Sequence, residues 1–229
     1  MFKKKIIAII LARAGSKGIK NKNLLRINGK PLIYWSIKSF LNSNKIQSVW
    51  VSSNSKKILS ISQKYGANII KRPENISHDF SPSESAWIHA LRYIKNKVNE
   101  NEIDAVVGVQ PTSPIRTTKL INEAINKFYK KKLDSLFTSK KINDHFIWKR
   151  IGGSLKANYN YRKRQMRQKI SDKYLENGSF YIFKAEKFLK KKCRLFGKIG
   201  TFVMPKIYSF QIDDKEDIKI IKSLKKNLR

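Results

Sequence analysis

The sequence predicts an α/β fold around a mainly parallel sheet, and three observations carry that expectation. Short β-rich runs alternate with stretches of helical period along most of the chain, the pattern of βαβ units. The run DAVVGV at 104–109 is apolar almost throughout, as befits a strand buried on both faces. At 229 residues the chain is long enough for one domain with a substantial core.

Taken in order, the apolar run Ile6–Leu11 reads as the first strand, and it leads directly into the loop LARAGSKGIKNKNL at 11–24. Two glycines there allow a tight turn that brings amide N–H groups close to a ligand. Arg13 is a forked donor and Lys17 a mobile point charge, a pairing that suits a polyphosphate. The spacing matches neither a P-loop nor a GxGxxG fingerprint, so the residues alone also allow a solvated turn. A secretory signal is a competing reading, with Lys3, Lys4 and Lys5 before the apolar run and Ala12-Arg13-Ala14 as a cleavage site. The apolar run is short against the roughly 7–15 residues such a signal needs, and Arg13 interrupts the cleavage site. A strand is the better reading.

Pro31 opens a helix whose Leu32, Ile33, Trp35, Ile37, Phe40 and Leu41 recur near helical period. A strand at 47–52 and a helix at 56–65, closed by Gly66, come next. Asn68–Lys71 is a short strand. Helices at 83–98 and 117–129 flank the apolar run at 104–109, and 134–139 is a further strand. From 141 to 176 the alternation breaks. Gly152-Gly153 marks a hairpin there, and the rest is rich in Arg, Lys, Gln and Tyr without regular period. This segment is expected to protrude as a subdomain from a single domain spanning 1–229. The pattern then recovers as a strand at 179–183, a helix at 185–192, a strand at 207–212 and a helix at 215–228.

Fifty basic and 16 acidic residues give a net charge of +34, which raises nucleic acid as a partner. The lysine clusters at 130–132, 190–192 and 225–226 are dispersed over the polar faces of amphipathic helices, however, and Ile and Asn are abundant beside them. Compositional drift explains this better, and nucleic acid is not the expected partner. The positive field still favours capture of small anionic substrates. The one cysteine, Cys193, excludes an internal disulfide and fits a cytoplasmic protein. No apolar run approaches the ~20 residues of a membrane span.

Four further motifs fall at strand ends, where open α/β sheets bind ligands. RPENISHDFSPS carries Arg72, Pro73, Asp79 and Ser83; read alone, it is a surface loop ending in a helix cap at Ser83. In QPTSPIR, two prolines fix the backbone around Gln110 and Ser113. NGSFYIF presents Asn177, Gly178 and Tyr181, although Asn-Gly is also an ordinary turn. QIDDKED ends in Asp213, Asp214 and Asp217, hard oxygen ligands of the kind Mg²⁺ takes. His78 and His145 lie in loops, and His89 reads as a helix-packing residue. None belongs to a recognisable catalytic or zinc arrangement.

Together these motifs resemble the acylneuraminate cytidylyltransferase (CMP-N-acetylneuraminate synthetase) family. That family opens with a strand and AR-x-x-SKG-x-x-x-KN, then carries RP-x-x-x-x-x-D, QPTSP-x-R, NG-x-x-Y and a late D-x-D-T-x-x-D. The resemblance runs from Ile6 to about Leu228, and the SKG and KN elements favour the nine-carbon-sugar branch over the octulosonate enzymes. It implies a Rossmann-like sheet with helices on both faces, of nucleotide-diphospho-sugar transferase type, and a homodimer paired through the irregular segment. The implied reaction transfers CMP from CTP to a nonulosonic acid such as N-acetylneuraminate, with Mg²⁺. By motif position, Ala12, Arg13, Ala14, Gly15, Ser16, Lys17, Lys22, Asn23, Arg72 and Ser83 would hold CTP. Gln110, Arg167, Asn177 and Tyr181 would hold the sugar acid, and Arg13, Lys17 and Asp213 would carry catalysis. Two departures stand out. Gln211 occupies the first metal carboxylate position beside Asp213, which opens the possibility of an inactive homologue. RLFGKIG at 194–200 lacks the aromatic pair expected near sialic acid, which brings legionaminate and pseudaminate into play.

Overall fold

The structure is a computed structural model that describes residues 4–15, 18–97, 102–142, 146–166 and 172–227. Eleven strands and six α-helices follow in chain order among these residues. The first part runs β1 (Ile6–Leu11), β2 (Arg26–Ile27), β3 (Lys30–Pro31), α1 (Leu32–Leu41), β4 (Ser48–Ser53), α2 (Lys56–Lys64), β5 (Asn68–Lys71) and α3 (Ser83–Lys97). The second runs β6 (Ala105–Val109), α4 (Thr118–Lys130), β7 (Ser135–Ile142), β8 (Trp148–Ile151) and β9 (Ser154–Ala157). The last comprises β10 (Lys173–Lys184), α5 (Ala185–Lys191), β11 (Ile199–Val203) and α6 (Lys215–Asn227).

Seven strands form the main sheet in the order β11-β7-β10-β6-β1-β4-β5. β10 runs antiparallel to both its neighbours, β6 and β7, while the other pairings are parallel. Period-two alternation in β1 builds both cores at once. Ile6, Ala8 and Ile10 face Ile33, Ile37 and Phe40 of α1 and the apolar side of α4. Ile7 and Ile9 face Trp87, Leu91 and Ile94 of α3 and Phe188 of α5. A third cluster seals α6 against the loops, with Ile19, Ile27, Leu32, Ile115, Ile212 and Ile221. The expected α/β fold with helices on both faces is what these residues build.

The chain steps from β1 outward to β4 and β5, then returns to the far side of β1 as β6. The two halves diverge at this switch between β1 and β6, and a crevice opens at their carboxyl ends.

The late strand differs from expectation. Residues 207–212 are not a strand: a 3₁₀ turn occupies Lys206–Ser209 behind Pro205, and an extended segment follows, anchored by Ile212 N–H to Thr112 O at 2.9 Å. The edge strand is instead Ile199–Val203, paired parallel with β7. Gly200 dilutes its β pattern and packs against the Leu133 side chain, which would have to shift to admit a Cβ there. β10 also begins earlier than 179. Its first residues pair with 140–142 of β7, with a register shift between Glu176 and Tyr181. The last residues of the irregular segment thus belong to the main sheet. The hairpin around Gly152-Gly153 is β8–β9, both glycines having positive φ as a two-residue turn requires. No helix among the described residues is long and apolar enough to cross a membrane.

Candidate active site

A cavity of about 330 Å³ fills the crevice at the carboxyl ends of β1, β5 and β6. Its walls include Arg13, Lys22, Asn23, Arg72, Ser83 and Gln110 from the expected set, joined by His78, Asp79, Ser81 and Thr112. Residues from three separate motifs therefore share one space, while Asn177, Tyr181 and Asp213 are not among its walls.

The β1 loop is held from several sides. Ala12 is wholly buried and its N–H belongs to the sheet, donating to Ser52 O at 3.0 Å, so its side chain supports the wall without lining it. Ala14 N–H donates to Asn54 Oδ1 at 2.9 Å, and Asn23 Nδ2 donates to Arg13 O at 2.9 Å. Gly15 takes φ +76, open to glycine at no steric cost. Ser16 and Lys17 lie outside the described residues. Beyond them, Gly18 lies against the last segment, where a Cβ would stand 2.7 Å from Asp213 O. Lys22 Nζ donates to Ile212 O at 2.8 Å and meets Asp213 Oδ1 at 3.3 Å.

Two guanidiniums converge on the cavity. Arg13 Nη2 pairs with Asp79 Oδ1 at 2.5 Å. Arg72 is 4% exposed, with Nε donating to Ser77 Oγ at 3.1 Å and Nη2 without a partner in the protein. Burial, then the charge of Arg13, pushes the Arg72 guanidinium down to about 10. His89, on α3, also has a buried Nδ1 without a partner; burial and the charge of Arg72 lower its pKa. His145 lies outside the described residues.

Gln110 follows β6 and is held from behind by Arg116, which is buried and donates only to neutral acceptors. Its Nη2 reaches Gln110 O at 2.7 Å and Ser179 O at 2.8 Å, Nη1 reaches Ser36 Oγ at 2.8 Å, and Nε reaches Ser179 Oγ at 3.0 Å. Thr112 lines the cavity with a buried Oγ1 that has no protein partner. Its place inside QPTSP was the available signal, but a threonine between two prolines reads as part of a rigid turn.

Three expected ligand residues are engaged elsewhere. Asn177 is buried: Oδ1 accepts from Thr138 Oγ1 at 2.6 Å, and Nδ2 donates to Ser209 Oγ at 3.1 Å. Asn177 and Gly178 lie within β10, where the register with β7 shifts and Gly178 takes φ +58, so the pair forms a bulge in the strand and not an ordinary Asn-Gly turn. Tyr181 is 2% exposed, packs edge-on to Trp87, and donates its hydroxyl to Glu176. Gln211 donates its amide to Asn177 O, and with Gln110 it meets the face of Gly178, where a Cβ would lie 3.1 Å from Gln110 Oε1 and 3.2 Å from Gln211 Nε2. Arg167 lies outside the described residues.

The terminal carboxylates divide in role. Asp214 and Asp217 form a reciprocal capping box on α6, Asp214 Oδ1 accepting from Asp217 N–H at 3.0 Å and Asp217 Oδ2 from Asp214 N–H at 3.0 Å. Asp213 is left with 72% of its side chain exposed. Among the described residues no group of three or more His, Cys, Asp or Glu could hold a metal ion. Asp213 offers an exposed carboxylate, which fits an ion such as Mg²⁺ that commonly takes one or two carboxylates beside phosphate oxygens and water.

Comparison with known proteins places this geometry. The chain is 35% identical over 213 residues to N-acylneuraminate cytidylyltransferase A of Danio rerio, covering 91% of this chain but 48% of that protein, so it spans about half the relative's length. It is 28% identical over 229 residues to pseudaminic acid cytidylyltransferase of Campylobacter jejuni, covering 97% of each. In fold it is similar to a CMP:2-keto-3-deoxy-manno-octonic acid synthetase solved with CTP, at TM-score 0.72, 15% identity and 99% and 100% coverage. The sequence profile of the cytidylyltransferase family matches residues 7–228, and to that family this chain belongs.

Proposed function

We propose that this protein transfers CMP from CTP to a nonulosonic acid, N-acetylneuraminate or a relative such as legionaminate or pseudaminate, and releases pyrophosphate. The observation that carries the reading is Arg72, a buried guanidinium with an unpartnered Nη2 on the cavity wall beside Arg13. Arg13 is shared with Asp79, but the buried Arg72 beside it keeps a donor turned to the cavity, which suits an anionic ligand, and the relatives' names supply the nucleotide and the acid.

In this reading Arg13, Lys22 and Arg72 grip the triphosphate, with Lys17, Ser16 and the Gly15 backbone assigned by motif, while Asn23 and Ser83 flank the nucleoside. Gln110 and Thr112 face the acceptor, and Arg167 joins them by motif. The anomeric hydroxyl oxygen of the sugar forms a bond to the α-phosphorus as the bond to the bridging oxygen of pyrophosphate breaks. Fixed cations and positioning account for the rate, since developing charge meets dipoles already in place. Asp213 would hold Mg²⁺, which neutralises triphosphate charge when bound.

The protein is further read as a cytoplasmic homodimer pairing through the inserted segment 141–176. The exposed Trp148, Ile151 and Leu155 on β8–β9 support that surface. A sedimentation measurement in which Leu155→Asp runs no lighter than the wild type counts against it.

Purified protein given CTP, Mg²⁺ and individual nonulosonic acids is expected to release pyrophosphate with at least one of them. No pyrophosphate from any acid, with salt-sensitive binding to random duplex DNA, overturns the reading in favour of a nucleic-acid binder.

A further inference from the structure

Outside the cavity, a polar cluster centres on Arg194, in the segment between α5 and β11. Its Nε and Nη2 take both oxygens of Glu84 at 2.6 and 2.9 Å, a bidentate pair across 110 residues of sequence. Both side chains are about four-fifths buried, at 20% and 19% exposed. The guanidinium carbon lies 4.9 Å from the ring centres of both Trp87 and Tyr181, so the cation is held against two aromatic rings as well. Burial works against the Glu84 anion, but the hydrogen bond and charge of Arg194 outweigh it and hold the carboxyl below its usual range.

Each partner is one step from the crevice. Glu84 sits in the first turn of α3, between Ser83 and Ala86, both of which line the cavity. Tyr181 pairs with Gly108, two residues before Gln110, and its hydroxyl is tied to Glu176, next to the Asn177-Gly178 bulge of β10 that Gln110 faces. Trp87 lies so close to Gly108 that a Cβ there would be 2.8 Å from its ring. These neighbours belong to the wall that carries Gln110.

We infer that Arg194 and Glu84 form a positioning clasp that locks the first turn of α3 to the Gln110 wall and so fixes the acceptor end of the crevice. Resting on the function proposed above, the inference assigns the pair to selection of the sugar acid and not to the nucleotide. Neither residue lines the cavity, so both act through others. A bidentate fork is the feature that matters, because a lysine keeps the charge but cannot take both carboxylate oxygens in one plane.

The test compares Arg194→Met, Arg194→Lys, Glu84→Gln and the Glu84→Gln/Arg194→Met double variant with the wild type. KM is read separately for the acid and for CTP, and amide hydrogen exchange at residues 84–87 is followed in the free protein. Arg194→Met is expected to raise KM for the acid about tenfold while KM for CTP stays within about twofold. Arg194→Lys should fall between, and the double variant, with no mostly buried carboxylate left unpaired, should be no worse than Arg194→Met. Exchange at 84–87 should quicken in all four. Ser83→Ala, expected to move KM for CTP instead, marks the opposite pattern. Equal rises in both KM values, or faster exchange with no KM split, overturn the clasp while leaving the function standing. A wild type silent toward every acid overturns the function, and the acceptor assignment with it.

Discussion

Lys22 Nζ sits 2.8 Å from the carbonyl of Ile212 and 3.3 Å from Oδ1 of Asp213, joining the first loop of the chain to its last segment. Gly18 allows the same approach from the backbone, where any Cβ would strike Asp213 O. The cationic loop and the carboxylate read as a metal ligand are therefore one mechanical unit, although nearly the whole sheet is threaded between them. Only 12% of the Lys22 side chain is exposed, against 72% for Asp213. That asymmetry separates what each residue contributes.

Substitution should expose the difference. Lys22→Met removes a charged donor from a mostly buried carbonyl, a loss of about 1.5–3 kcal/mol. At roughly 2–4 °C per kcal/mol for a chain of this size, thermal scanning should show a fall of about 3–12 °C. Pyrophosphate release should drop with it. Asp213→Asn, altering an exposed pair of small net worth, should shift the midpoint by less than about 2 °C while turnover falls about a hundredfold. Equal thermal losses in the two variants would show that Asp213 is there for the fold.

Arg72 sets stability against function in the opposite sense. Its burial is costly because Nη2 has no hydrogen-bond partner, and the nearby charge of Glu74 offsets burial and the charge of Arg13 only in part. Arg72→Met removes that cost and strands nothing, since Ser77 Oγ still donates to Pro73 O at 2.7 Å. The variant should melt at or a few degrees above the wild type, by about 1–4 °C, yet bind CTP at least about tenfold more weakly by calorimetry. A clear loss of stability would mean that Arg72 braces the loop and is not poised for a ligand.

How far the sequence could take this site depends on which interactions are local. β1, β6 and the helices were legible because apolar period reports burial directly, and the switch point then follows from strand order. Arg13, Lys22, Arg72 and Gln110 were legible as motif members at strand ends, and the cavity unites them. Asp79 was visible only as part of a motif, since nothing in RPENISHDF tells that its carboxylate reaches Arg13. Arg194 was visible only as the start of RLFGKIG, where an aromatic pair is missing; nothing in that run tells that its guanidinium reaches Glu84, 110 residues away. The strand at 199–203 was missed because Gly200 and Thr201 answer to Leu133, Phe137 and Ser139, contacts no period encodes.

Two buried tyrosines predict an alkaline limit to stability. The Tyr181 phenol is pushed up to about 12 by burial and by its hydrogen bond to Glu176, and Tyr129 is raised further by burial and by the charge of Asp104. The folded state therefore keeps protons that the unfolded chain loses near pH 10, so this stability is present below ~10 and is lost as pH climbs toward 12. Each tyrosine steepens the decline by up to about 1.4 kcal/mol per pH unit. Urea midpoints from pH 9 to 11.5 should fall less steeply in Tyr181→Phe and Tyr129→Phe, and less steeply still in the double variant. A slope unchanged by either would place the alkaline transition in other groups.

Gln211 decides between an active enzyme and an inactive relative. Where a D-x-D pattern would place a carboxylate, the amide nitrogen of Gln211 instead donates to Asn177 O, latching the last segment to the β10 bulge beneath Gln110. An aspartate is shorter by a methylene and has no donor for a carbonyl, so Gln211→Asp should lose the latch and set a second negative charge two residues from Asp213. Losing one such bond costs about 1–2 kcal/mol, or roughly 2–8 °C in midpoint. Because Mg²⁺ takes most of its ligands from phosphate and water, one carboxylate at 213 would suffice, on the function proposed, for an ion that arrives with the nucleotide. Pyrophosphate release by the wild type should therefore be measurable, and Gln211→Asp should not exceed it at saturating Mg²⁺. A wild type without turnover that Gln211→Asp awakens would reverse the argument and make the glutamine the lesion.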